Sequence, residues 1–157
     1  MKALTLVIEE TRADNPVAQA LIEELDAHLI PLYPSESHHG YSVEKLLAQG
    51  VVLFVARQDA AVAACGGVQL FGAEFGEIKR MYVRPAFRGL GLAKAILAHL
   101  ESFTASRGVP LLRLETGIHQ REAITLYERM DYTQIGPFGP YREDPLSLFY
   151  EKRLDEK

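Results

Sequence analysis

The stretch Val83-Arg84-Pro85-Ala86-Phe87-Arg88-Gly89-Leu90-Gly91-Leu92-Ala93 sets small residues where a β-rich segment gives way to a helical one. Small residues let the backbone approach a ligand closely. The first turn of a helix adds unpaired N–H groups and the positive end of its dipole, which suit an anion. Five cations, Lys79, Arg80, Arg84, Arg88 and Lys94, stand from Lys79 to Lys94 with no acid among them, in a chain that is acidic overall. The combination reads as a cradle for a polyphosphate. A Walker loop requires Gly-Lys-Ser/Thr, whereas Gly91 is followed by Leu92-Ala93-Lys94-Ala95, so a P-loop nucleotidase is excluded. A dinucleotide fingerprint would place a glycine where Lys94 stands, early in a βαβ unit instead of after three successive strands.

The pattern Arg-x-x-Gly-x-Ala, Arg88 to Ala93, preceded by Val83-Arg84-Pro85, closely resembles the acetyl-CoA-binding motif of the GNAT N-acetyltransferase superfamily. Downstream, Gln120-Arg121-Glu122-Ala123-Ile124-Thr125-Leu126-Tyr127-Glu128-Arg129-Met130-Asp131-Tyr132 is similar to that family's Asn-x-x-Ala-x-x-Leu-Tyr-x-x-x-Gly-Phe, in the family's order and at its separation. Two residues depart from the pattern. Gln120 replaces Asn, and Asp131 replaces the helix-ending glycine; Asp tolerates a left-handed backbone better than most residues.

The resemblance implies a mixed α/β (α+β) fold with a central, mostly antiparallel sheet of six or seven strands flanked by four helices. It implies acetyl-CoA as co-substrate, without a metal. The donor would lie against Met81, Tyr82, Val83, Arg88, Gly89, Leu90, Gly91, Leu92, Ala93, Gln120 and Tyr127, with backbone N–H groups near Met81 and Val83 facing the acetyl carbonyl. Transfer from a thioester to an amine needs a deprotonated amine, a polarised carbonyl and a proton for the departing thiolate. Turning an alkyl ammonium of pKa about 10.4 into the free amine at pH 7 costs about 4.6 kcal/mol. By resemblance Glu77 is the base, with Glu115 as the second candidate, and Tyr127 is the acid that protonates the thiolate.

Around these residues the sequence predicts alternating elements. Leu4, Leu6 and Ile8 give a first strand. Asn15-Pro16 opens a helix whose apolar face is Leu21, Ile22, Leu25, Leu29 and Ile30, and a short helix follows near Val43 to Gln49. Val51 to Ala56, Val62 to Phe71 and Glu77 to Val83 form a meander, with Gly66-Gly67 read as an interruption of its second strand. A helix built on Leu92, Ile96, Leu97, Leu100 and Phe103 leads to a strand at Leu111 to Glu115. A last helix at Arg121 to Met130 precedes strands near Tyr132 to Ile135 and Leu146 to Leu154.

Two irregular segments are long enough to carry function, Pro31 to Ser42 and Gly136 to Pro145. Their tyrosines and basic residues suit a small polar amine, so Tyr33, His38, Tyr41, Tyr141 and Arg142, together with Arg80, are expected on the acceptor side. His38-His39 lack the spacing and carboxylates of a metal site. Cys65, between Ala64 and Gly66, reads as a buried small residue.

The chain has 157 residues, a length suited to one domain spanning residues 1–157. Its 17 lysines and arginines against 21 acids leave a net charge of −4, which disfavours DNA or RNA as a partner. One cysteine forms no internal disulfide, and no apolar run approaches the roughly 18 residues of a membrane span, so a cytoplasmic protein without membrane contact is expected. A small-molecule amine is the expected acceptor. Acetylation of protein N-termini or lysines, and non-catalytic sensing of acyl-CoA, stay open as alternatives, and the family's habit admits a homodimer.

Overall fold

Asn15 starts the first helix, α1 (Pro16–Leu29): its side-chain oxygen accepts hydrogen bonds from the N–H groups of Val17 at 2.9 Å and Ala18 at 3.4 Å. Pro16 costs nothing at this position, since its missing N–H would have had no helical partner. The computed structural model describes residues 5–34 and 43–155. Ala18, Leu21, Ile22, Leu25 and Leu29 form the buried stripe of α1, which ends in a 3-10 turn at Ile30–Leu32. The short helix is α2 (Val43–Ala48).

Seven strands make one sheet. They are β1 (Leu6–Thr11), β2 (Val52–Gln58), β3 (Ala61–Phe71), β4 (Phe75–Val83), β5 (Leu111–Gly117), β6 (Thr133–Ile135) and β7 (Ser147–Arg153), arranged in space as β1-β2-β3-β4-β5-β7-β6. The β2–β3 turn is made by Asp59 and Ala60, both at positive φ, the conformation a tight two-residue hairpin needs. Every neighbouring pair is antiparallel except β4 and β5, which run parallel and are joined by helix α3 (Leu92–Ser106). Helix α4 (Arg121–Arg129) connects β5 to β6, and β7 then inserts between β5 and β6.

Alternation along the strands divides the core in two. Val68, Ile78, Leu112, Leu114 and Tyr150 pack with Ile96, Leu97 and Leu100 of α3 and Tyr127 of α4. On the other face Leu53, Val55 and Cys65 meet Leu21 and Ile22 of α1 and Leu46 of α2. Farther along this second face Phe75 and Leu111 pack with Phe138 and Phe149.

Two expectations are corrected. The Gly66-Gly67 pair does not interrupt β3; the irregularity lies in β4, where Arg80 and Met81 together face Gly66 in a β-bulge. Arg80 adopts φ +58, a left-handed conformation rare outside glycine. A Cβ on Gly66 would lie 2.6 Å from both Ile96 and Met81, so the tight packing of α3 under the bulge demands glycine there. The strand expected to begin at Glu77 starts earlier, at Phe75, which pairs with Phe71 of β3. Asp131 does take the left-handed conformation, at φ +71.

Candidate active site

The parallel ladder between β4 and β5 is only two residue pairs long, Gly76 with Leu112 and Glu77 with Arg113. Beyond them the strands diverge. The cleft so opened encloses about 110 Å³ and is lined by β4 from Glu77 to Met81, by Glu115 and Gly117 of β5, and by Tyr127. It connects the two faces of the sheet. Ile78 belongs to the α3 and α4 face, so Glu77 and Lys79 project to the α1 and α2 face, and Glu115, between Leu114 and Thr116, projects the same way. Tyr127 stands on the opposite side.

Each carboxylate is held by a hydroxyl from the segment before β7 or its start. Tyr141 donates to Glu77 Oε2 at 2.5 Å, and Ser147 donates to Glu115 Oε2 at 2.8 Å. Glu77 is only 3% exposed, and burial raises the pKa of its carboxyl, against the pull of Lys79 and the Tyr141 hydrogen bond. Burial raises Glu115 further, to about 7, with Ser147 opposing and the charges of Glu77 and Asp144 adding to the rise. Glu115 therefore titrates near neutrality, and the Glu77 carboxyl is raised in the same direction. Burial and the charge of Glu115 lift the Tyr127 phenol well above its usual range, so it stays protonated at neutral pH.

The bulge sets the cations. It turns both Lys79 and Arg80 toward the α1 and α2 face, where Arg80 pairs with Asp26 and the Lys79 ammonium donates to Gln49 Oε1 at 3.0 Å. Arg84 forms an ion pair with Glu24 at 2.7 Å, and Tyr82 donates to the same carboxylate at 3.2 Å. This corrects the reading of five cations as one phosphate cradle. Arg80 and Arg84 face acids of α1, which leaves Arg88 and Lys94 at the start of α3. There Gly89 (φ +81) and Gly91 (φ +80) bend the chain into the helix, whose N-terminus has no side-chain cap, and Leu90 and Arg88 are exposed. Uncapped N–H groups and two flanking cations fit a pyrophosphate. The residues present therefore suit CoA.

Tyr33 lines the cleft as expected, and its hydroxyl accepts from the His119 N–H at 3.1 Å. Its ring occupies the space that a Cβ on Gly117 would fill. Gln120 also lines the cleft, but its side-chain oxygen accepts from the Gly117 N–H at 2.8 Å and so closes the β5–α4 turn. Tyr141 is present through its bond to Glu77. Arg142 is exposed and does not line the cleft. His38 and Tyr41 lie outside the described residues. The role of Ser147 had no signal in sequence, because Glu115 meets it only through the β5–β7 pairing.

The family model for the Acetyltransferase (GNAT) family matches residues 18–132, more than half of the chain. The chain belongs to the GNAT acetyltransferase family. This acetyltransferase is 40% identical to IAA acetyltransferase of Azospirillum brasilense over 94% of its own length and 97% of the relative's. Its structure matches an acyl-CoA N-acyltransferase of Klebsiella pneumoniae with a TM-score of 0.81 and 37% identity, covering 95% of this chain and 97% of the other. A PaiA N-acetyltransferase of Thermoplasma acidophilum, solved with coenzyme A, shares the fold at a TM-score of 0.73 and 16% identity, over 95% and 99% of the two chains. Membership of this family makes the chain an acetyl-CoA-dependent acetyltransferase, on the mixed α/β architecture that its motifs implied. Among its described residues no helix is long and apolar enough to cross a membrane.

Proposed function

We propose that this acetyltransferase moves the acetyl group of acetyl-CoA to the primary amine of a small metabolite by direct attack, with Glu115 and Glu77 receiving protons and Tyr127 supplying one. One observation carries the reading: the buried Glu77, the half-buried Glu115 and the buried phenol of Tyr127 stand on opposite sides of the same gap between β4 and β5. When bound, acetyl-CoA supplies a thioester carbonyl open to an amine and a thiolate that must leave protonated. Arg88, Lys94 and the N–H groups from Gly89 into α3 would hold its pyrophosphate, and the β4 backbone past Glu77 would line its path.

On the acceptor side Glu115, with a pKa of about 7, is ionised in a substantial fraction near neutrality and still basic enough to take an ammonium proton, directly or through water. Ser147 fixes the orientation of its carboxylate. Glu77, held by Tyr141, keeps a second proton acceptor on the same face. Tyr127 holds its proton through the approach of the amine and releases it to the thiolate. The polar groups that face the acceptor, Glu77, Lys79 and Glu115, lie within the cleft itself, which suits a small amine.

Thiol release from acetyl-CoA, followed against a panel of small amines, tests the reading. Acceptor-dependent release that falls in Tyr127→Phe and Glu115→Gln is expected. Tight binding of acetyl-CoA with release only against peptides would move the acceptor to proteins, and binding with no release against any amine would favour a sensor.

A further inference from the structure

The bulge in β4 has a consequence for the acceptor. In a regular strand Lys79 and Arg80 would point to opposite faces. With Arg80 at φ +58 both stand on the α1 and α2 face, beside Glu77 and opposite Glu115. The acceptor side of the cleft therefore carries two acids and two bases. A site built for a polyamine would carry acids alone, and one built for a plain alkylamine would have no need of the bases.

The two bases differ in how their charge is met. Arg80 faces Asp26 of α1. Lys79 is half-buried, and its ammonium is met by the neutral side-chain oxygen of Gln49, with no salt bridge among the described residues. Burial acts most strongly against the protonated form of Lys79, the charge of Glu77 favours it and that of Lys45 opposes it. Gln49 offers that ammonium no charge, so an anion bound beside it would help offset the cost of its burial. Glu77 lies two residues away on the same strand face, a spacing of about 7 Å between Cα atoms. Side chains converging from such positions span an ammonium and a carboxylate that are a few bonds apart in one small molecule.

We infer that the acceptor is an amino acid or a similar amine bearing a carboxylate, with Lys79 binding the carboxylate while Glu77 and Glu115 face the amine. This rests on the reading of the cleft as the site of acetyl transfer to a small amine, and it names the class of that amine.

The test uses the full chain with acetyl-CoA and a panel of L-amino acids, each run beside its carboxamide and its decarboxylated amine, with putrescine as a diamine control. Rates of thiol release are compared as kcat/KM per free amine, to remove differences in amine pKa. At least one free acid is expected to exceed its carboxamide and its decarboxylated amine by about 10-fold, mainly through KM. Lys79→Met is expected to bring that ratio toward one by raising KM for the acid, and Lys79→Arg, which keeps the charge, to retain most of the preference. Carboxamides, plain amines or putrescine matching or exceeding the acids in the wild type would overturn the inference and leave the small-amine reading standing. So would a Lys79→Met variant that lowers all three classes equally. If acetyl-CoA binds but no small amine of any class is acetylated, the small-amine reading falls and this inference falls with it.

Discussion

Tyr127 and Glu115 are separated less by their chemistry than by which face of the sheet each occupies. Tyr127 packs edge-on against Tyr132, with ring centres 5.7 Å apart, and is almost wholly buried. Phenylalanine fills the same space, so Tyr127→Phe is expected to fold normally, to bind acetyl-CoA, and to lose kcat by about 100-fold or more through the missing proton donor. Steady-state kinetics beside a thermal melt separates these effects. With Glu115 as the proposed base, kcat/KM should rise through a limb near pH 7 as the carboxylate ionises, and Glu115→Gln should remove that limb. A profile unchanged in the variant would assign the limb to Glu77.

At the scale of elements, the site depends on the packing of α3 beneath the β4 bulge. Gly66 is the point of closest approach, with Ile96 and Met81 already occupying the place of a Cβ. Gly66→Ala should therefore force Ile96 or the bulge to move and cost about 1–3 kcal/mol, measurable by denaturant unfolding. Leu100→Ala, which empties a fully buried position on the same helix, should cost about 2–5 kcal/mol. The two differ in activity. Leu100→Ala leaves the bulge in place, whereas Gly66→Ala displaces Met81 and is expected to weaken acetyl transfer beyond its effect on stability. Helix α1 secures the other side of β4 through Asp26 with Arg80 and Glu24 with Arg84, so the strand beside the gap is held from both faces.

For the whole molecule, two desolvated acids in one cleft make stability depend on pH. The folded-state pKa of Glu115 lies above the ordinary carboxylate value of 4.5, at about 7. Its contribution is thus fully favourable below pH 4.5 and is lost as pH rises through 7. Glu115→Gln should be no more stable than the wild type near pH 4 and more stable at pH 8, by up to about 3 kcal/mol. Melting temperatures at the two pH values decide it, and an equal difference at both would show that Glu115 is not desolvated. The same burial that costs stability supplies a base with a pKa suited to neutral pH.

Local pattern determined much of this. The Asn15 cap, the apolar stripes of α1 and α3, the meander of β2 to β4, the glycines that open α3 and the Leu126-Tyr127 pair all act within a few residues of themselves, so their types and spacing sufficed to place them. The family resemblance likewise singled out Glu77, Glu115 and Tyr127. Tertiary structure decided the rest. That Arg80 and Arg84 face acids of α1 follows from a helix more than fifty residues away. The hydroxyls on Glu77 and Glu115 come from Tyr141 and Ser147, brought there by the insertion of β7 between β5 and β6. The bulge that puts Lys79 and Arg80 on one face breaks the period of two from which a strand is read. Each of these depends on long-range pairing and burial, which no short window of residues contains.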